Sequence, residues 1–320
     1  MFLHSSARFP QDASLTDRRQ EHVDAFWNKV LGRAARPILP LNETGIGTPF
    51  YCVHPLSGDA ACFRDLAALL GPAQRFYGIQ MPTPKRNAEG AVSVEAIAEY
   101  YADAVAAFQP DGPLALGGWS AGAVIALEVA QLLRGRGRDV ALLVAIEGVL
   151  YNTGAGLSPW NPLYSCKLVG NLPRWFRDDL MQNWSFRLFA KRVVSKVIAL
   201  RRIALSRLQG DSQFRAHSVQ GFMDTSSWSD SQVSFMKALF DALCRYVPRE
   251  YGGRVLVYAA KTEPLYHLLQ VGAGWSKIAA RSEVVQIGGT HVSLNEKPHI
   301  ERLADHLRRR LAECSPAAPP

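Results

Sequence analysis

From Pro49 onward, short apolar runs alternate with stretches whose apolar residues recur every three or four positions. Residues 50–54, 75–80, 140–146, 254–260 and 283–287 read as strands. Residues 61–70, 94–108, 123–133 and 299–311 read as helices, with Ser93 placed to cap the second of them. The run 140–146 is almost wholly apolar, as a strand covered on both faces requires. Such alternation predicts an α/β fold: a mainly parallel sheet with helices on both sides.

The rhythm breaks twice. Between Glu147 and Arg254 no strand signal occurs, and Phe186, Phe189, Val193, Val197 and Leu200 instead follow one helical stripe, so 148–253 reads as an inserted helical subdomain. The core is then 48–147 together with 254–313. Residues 1–47 read as an extension, with one amphipathic helix over 16–31 (Val23, Phe26, Trp27, Val30 and Leu31 on one face), Gly32 as its stop, and a Pro-containing linker over 36–48. Residues 314–320 read as a disordered tail.

Composition narrows the class. A chain of 320 residues with 48% hydrophobic content can bury a substantial core. The first ten residues lack an apolar signal core, and no apolar run approaches the roughly 18 residues of a spanning helix, so a cytoplasmic protein without an integral membrane segment is expected. Five scattered cysteines, without CxxC or Cys/His spacing, suggest neither a disulfide framework nor a zinc site. The net charge of +8 is concentrated: ten Lys/Arg face only two acids between Cys166 and Gln209, a surplus equal to that of the whole chain. Within this segment Arg187, Lys191, Arg192 and Lys196 lie at helical spacing, and a basic surface of this kind suits an acidic partner. Aromatic residues do not interleave with the basic ones in a nucleic-acid-binding pattern, so nucleic acid is not the expected partner.

The candidate chemistry centres on Gly118-Trp119-Ser120-Ala121-Gly122, a G-x-S-x-G turn between an apolar run and a helix. A serine at such a turn projects above the sheet, its flanking glycines Gly118 and Gly122 let strand and helix approach, and the helix N-terminus favours developing negative charge. Ser120 is therefore the nucleophile candidate. Its base must be a histidine, and His291, after the last strand and the flexible run Gly288-Gly289-Thr290, is best placed; His54 fits better as a packing residue. For the acid, Glu147 ends the strand following the serine's helix and is preferred, whereas Glu263, beyond the next strand, is the alternative. The backbone N–H groups of Ala121 and of Leu56, in the loop after residue 54, are the expected oxyanion donors. No dinucleotide, P-loop or metalloprotease motif is present, so no cofactor is expected.

The chain resembles the α/β-hydrolase thioesterases that terminate nonribosomal-peptide and polyketide synthesis. The likeness spans residues 49–311. It rests on Pro49-Phe50-Tyr51-Cys52-Val53-His54-Pro55 with Ser57-Gly58, on Phe76-Tyr77-Gly78-Ile79-Gln80, on Gly117 to Gly122, and on Gly288-Gly289-Thr290-His291. The resemblance implies a serine acyl-enzyme, formed from a thioester on the 4'-phosphopantetheine arm of an acyl or peptidyl carrier protein and released by water or an internal nucleophile. It also implies that the insertion is a lid. Two features depart from the family: Glu147 stands where Asp is usual, and no carrier domain precedes, so a free-standing enzyme is expected. An editing thioesterase, an acyltransferase, a carboxylic ester hydrolase at a membrane surface, and a non-enzymatic interaction module are the competing readings.

Overall fold

The apolar runs all pair into one sheet, because a strand buried on both faces has no other place to satisfy its backbone N–H and C=O groups. A computed structural model describes residues 37–81, 92–153, 162–180, 230–262 and 271–314. In chain order the elements begin with β1 (Ile38–Asn42), β2 (Phe50–Val53), a 3-10 turn (Ala61–Phe63) running into α1 (Arg64–Leu70), β3 (Phe76–Ile79) and α2 (Val94–Phe108). They continue with β4 (Leu114–Trp119), α3 (Ala121–Gly135), β5 (Val140–Ile146), α4 (Pro162–Trp175) and one π-helical turn, Phe176–Leu180. The remainder are α5 (Asp230–Arg245), β6 (Tyr251–Ala260), α6 (Val271–Ile278), β7 (Ala279–Ile287) and α7 (His299–Ala312).

The strand order is β1-β3-β2-β4-β5-β6-β7, with β1 antiparallel to β3 and every other neighbour parallel. Side-chain alternation divides the core. Tyr51 and Val53 on β2 face α2, α3 and α6, whereas Phe50 and Cys52 face α1 and α7. The expected α/β-hydrolase architecture is thus present, and Ser93 does cap α2, its Oγ accepting from Ala96 N at 3.1 Å.

The linker expected over 36–48 is corrected, because it contains β1. Pro40 disguises that strand in the sequence: a proline forfeits one ladder donor and is tolerated at a sheet edge, which is where β1 lies, with an irregularity in register between Pro40 and Asn42. Other differences are of boundary. The serine's helix begins at Ala121 rather than 123, β6 at Tyr251 and β7 at Ala279, and the helix expected over 61–70 opens as a 3-10 turn.

In the inserted region the described elements, α4 and α5, are helical. Its two ends meet at a neck. Asn152 Nδ2 donates to the carbonyls of Cys244 (2.7 Å) and Tyr246 (2.8 Å), and buried Glu128 on α3 accepts from Tyr246 Oη and Arg249 Nη2, both at 2.7 Å. A buried carboxylate is tolerated here because both its oxygens are partnered. The helix expected over 16–31, the stripe beginning at Phe186, the basic residues Arg187, Lys191, Arg192 and Lys196, the alternative acid Glu263 and residues 315–320 all lie outside the described residues.

Candidate active site

Ser120 sits between the end of β4 and the start of α3 with φ +58° and ψ −118°. A non-glycine residue in that region carries about 1–3 kcal/mol of strain and persists only where its surroundings enforce it. Three contacts enforce it here. Ser120 N donates to Ile146 O at 2.8 Å, tying the turn to β5. A Cβ on Gly118 would stand 2.1 Å from the Gly122 carbonyl carbon, and one on Gly122 would stand 2.2 Å from Val53 O and 2.4 Å from His54 O. Both glycines are therefore required by space: strand, helix and the end of β2 converge to backbone contact.

Among the described residues Glu147 is the other non-glycine residue with positive φ, +52°, and it is buried. Its carboxylate bridges two elements. One oxygen accepts from the backbone N–H of Ala260 at the end of β6, and Oε2 lies 3.1 Å from His291 Nδ1. A carboxylate oxygen accepts, so this contact selects the imidazole tautomer with its proton on Nδ1, in which Nε2 is the acceptor.

The His291 loop is held independently. Thr290 N donates to Ser293 Oγ (2.8 Å), Ser293 N donates to Thr290 Oγ1 (3.2 Å), and Asn295 Nδ2 donates to Cys62 O (3.0 Å). Gly288 and Gly289 pack directly on the His299 ring, where a Cβ would come within 2.9 and 2.6 Å. The imidazole of His291 lies 5.9 Å, centroid to centroid, from the indole of Trp119, the residue before Ser120, with the rings inclined by 32°. The structure therefore brings His291 to Glu147 and to the serine turn. Ser120 Oγ makes no hydrogen bond to another described residue. Catalytic hydrogen bonds of this kind commonly tighten only when substrate is bound.

The Leu56 loop adjoins the same turn, since the carbonyls of Val53 and His54 touch Gly122. Ala121 opens α3, so its N–H has no intrahelical acceptor. His54 was expected to pack, and it is fully buried, yet it also makes two hydrogen bonds: Nδ1 with Pro55 O at 2.6 Å and Nε2 with Tyr101 Oη at 2.7 Å. Burial, opposed by the bond to Pro55 and the charge of Asp59, lowers its pKa from 6.5 to about 4. Sequence reading missed this role, and missed the contacts of Trp119 and of the Ala260 amide. The position of Trp119 beside the nucleophile was the available signal for one of these; the other two depend on tertiary geometry. Among the described residues no group of three or more His, Cys, Asp or Glu is arranged to hold a metal ion, and no helix is long and apolar enough to cross a membrane.

The convergence at Gly122 has a measurable consequence. Gly122→Ala is expected to cost at least about 2 kcal/mol in chemical denaturation, the scale of overpacking against an unyielding backbone. A variant as stable as the parent would show that helix and strand approach less closely.

Residues 48–152 match the family model for the thioesterase domain. Microperfuranone synthase of Emericella nidulans is 37% identical over 126 residues, 39% of this chain and 13% of that protein. Enterobactin synthase component F of Escherichia coli K12 is 39% identical over 121 residues, 38% of this chain and 9% of that protein. The chain thus spans only a small part of the length of the curated relatives it matches. Among solved structures, the NocB thioesterase domain from the nocardicin cluster aligns with 87% of this chain and 99% of its own, at TM-score 0.56 and 22% identity. The surfactin thioesterase domain SrfTE aligns over 86% and 96%, at TM-score 0.52 and 15% identity. At these identities the structural likeness speaks for the fold, and the sequence match speaks for the segment bearing the serine turn. Residues 48–152 thus resemble a thioesterase domain in sequence, and the described fold is the α/β-hydrolase fold that these solved thioesterase domains share.

Proposed function

We propose that the protein is a serine thioesterase that takes an acyl or peptidyl chain from the phosphopantetheine thioester of a carrier protein and releases it, by hydrolysis or cyclisation, in natural-product biosynthesis. The observation that carries this reading is the strained Ser120 beside the His291–Glu147 pair, at the carboxyl ends of β4, β5 and β7. Ser120 Oγ attacks the thioester carbonyl while His291 Nε2 takes its proton. The oxygen that becomes negative is received by the N–H groups of Leu56 and Ala121. Collapse breaks the carbon–sulfur bond, and the departing sulfur takes the proton from His291, leaving an ester on Ser120. Water, or a nucleophile within the bound chain, then repeats the sequence and frees the serine. The pantetheine arm belongs to the substrate, and the protein needs no resident cofactor for these steps. In this reading 148–253 is a lid over Ser120, and Arg187, Lys191, Arg192 and Lys196 form a docking surface for an acidic carrier protein.

Glu147 serves as the acid in spite of its extra methylene, since that length lets one carboxylate reach both the Ala260 amide and His291.

Three measurements test these assignments. Release from an acyl-loaded carrier is expected to vanish in Ser120→Ala, together with covalent labelling by a fluorophosphonate; equal rates in parent and variant would end the proposal. Glu147→Gln should lower kcat by orders of magnitude, on the scale of about ten thousandfold seen when a triad acid is amidated, while Glu263→Gln stays near parent; the reverse pattern reassigns the acid. Raising salt should raise KM for the carrier-bound substrate and leave KM for a small neutral thioester unchanged; a salt-independent carrier KM would discard the basic docking surface.

A further inference from the structure

The partners of His54 fix which of its nitrogens bears the proton. Pro55 O can only accept, so at 2.6 Å Nδ1 must be the donor. In the neutral ring Nε2 is then an acceptor, and the Tyr101 hydroxyl 2.7 Å away donates to it rather than to Met81 Sδ at 3.8 Å. Gly58 N also donates to Pro55 O, at 3.0 Å. The Pro55 carbonyl is therefore held from two sides in the protein interior.

The Pro55–Leu56 peptide is trans, the described cis bond being Lys297-Pro298. In a planar trans peptide C=O and N–H point in opposite directions. Pinning the carbonyl inward therefore turns the Leu56 N–H outward, from a loop whose preceding carbonyls touch Gly122 beside Ser120. We propose that His54 is a positioning residue for the oxyanion hole: its Nδ1–H locks the Pro55–Leu56 peptide plane so that Leu56 N–H faces the carbonyl oxygen of the substrate, and Tyr101 keeps His54 in the required tautomer. This rests on the thioesterase reading above and adds to it a relay Tyr101–His54–Pro55 that touches no substrate atom.

The test compares His54→Phe, which removes both ring nitrogens, with His54→Asn, whose side-chain amide returns a donor near the place of Nδ1. Each is assayed on a short acyl thioester, with rates normalised to sites titrated by fluorophosphonate. Binding is measured for a trifluoromethyl ketone, whose hemiketal oxygen on Ser120 occupies the hole, and for a thioether analogue that has no carbonyl. The Phe variant is expected to lose about tenfold to a hundredfold in kcat, up to the loss caused by deleting one oxyanion donor, with KM little changed. Ketone affinity should weaken by the same factor and thioether affinity should stay constant, while His54→Asn recovers most of both. Equal losses in Phe and Asn variants, or a fall in kcat without a matching loss of ketone affinity, would reduce His54 to packing. Should His54→Phe fail to fold, Tyr101→Phe replaces it: the same coupled loss, smaller in size, is expected, and parental values for both readouts overturn the proposal. A parent that neither turns over the thioester nor binds the ketone through Ser120 would remove the thioesterase reading itself, a result distinguishable from a working parent matched by its variants.

Discussion

Everything at this site depends on how closely three pieces of backbone approach one another. The end of β2, the turn at Ser120 and the first turn of α3 meet with no space for a side-chain carbon at Gly118 or Gly122. That contact holds Ser120 at a backbone angle it would not otherwise adopt, and it brings the loop bearing Leu56 alongside the start of α3. The proposed nucleophile and the proposed oxyanion donors thus depend on one packing constraint. In the proposed reaction negative charge develops beside this close contact, where preorganised donors contribute most to rate.

The proposed proton-transfer pair is built separately and brought in from the next strands. Glu147 leaves β5 at positive φ, anchors one oxygen on the β6 backbone and offers the other to His291. His291 sits on a loop fixed by the reciprocal Thr290–Ser293 bonds and by Asn295, which reaches back to the carbonyl of Cys62. Because Asn295 joins the histidine loop to the segment following the Leu56 loop, the two halves of the site share a structural tie outside the reacting groups. The Glu147 carboxylate reaches the Ala260 amide with one oxygen and His291 with the other, so both of its oxygens are partnered.

Much of this was legible in the residues, for identifiable reasons. The run 140–146 and the helix over 94–108 matched the observed elements because their apolar period and, for the helix, the Ser93 cap all pointed the same way. Gly118, Ser120 and Gly122 were legible because the turn's steric demands leave few residue types. The strand at Ile38–Asn42 was not, because Pro40 breaks the ladder pattern that identifies a strand, and only pairing with β3 restores it. The bond of His54 to Tyr101 was equally hidden: Tyr101 is 47 residues away in the chain, and no local pattern links them. Elements that follow from local period were readable, whereas contacts created by the crossing of distant segments were not.

The neck formed by Asn152 has a consequence for how such a protein can change. One amide side chain gathers the outgoing and returning chain at the carbonyls of Cys244 and Tyr246, and the neighbouring Glu128 ties the returning strand of backbone to α3. Of what lies between those two points, α5 packs Leu239, Ala242 and Leu243 into the core and Asp178 accepts from Thr262 Oγ1 at 2.7 Å, so the insertion is tied to the frame at several places. A rearrangement of the helix returning from the insertion would therefore be felt on α3, the helix that opens at Ser120, through the bond between Tyr246 and Glu128.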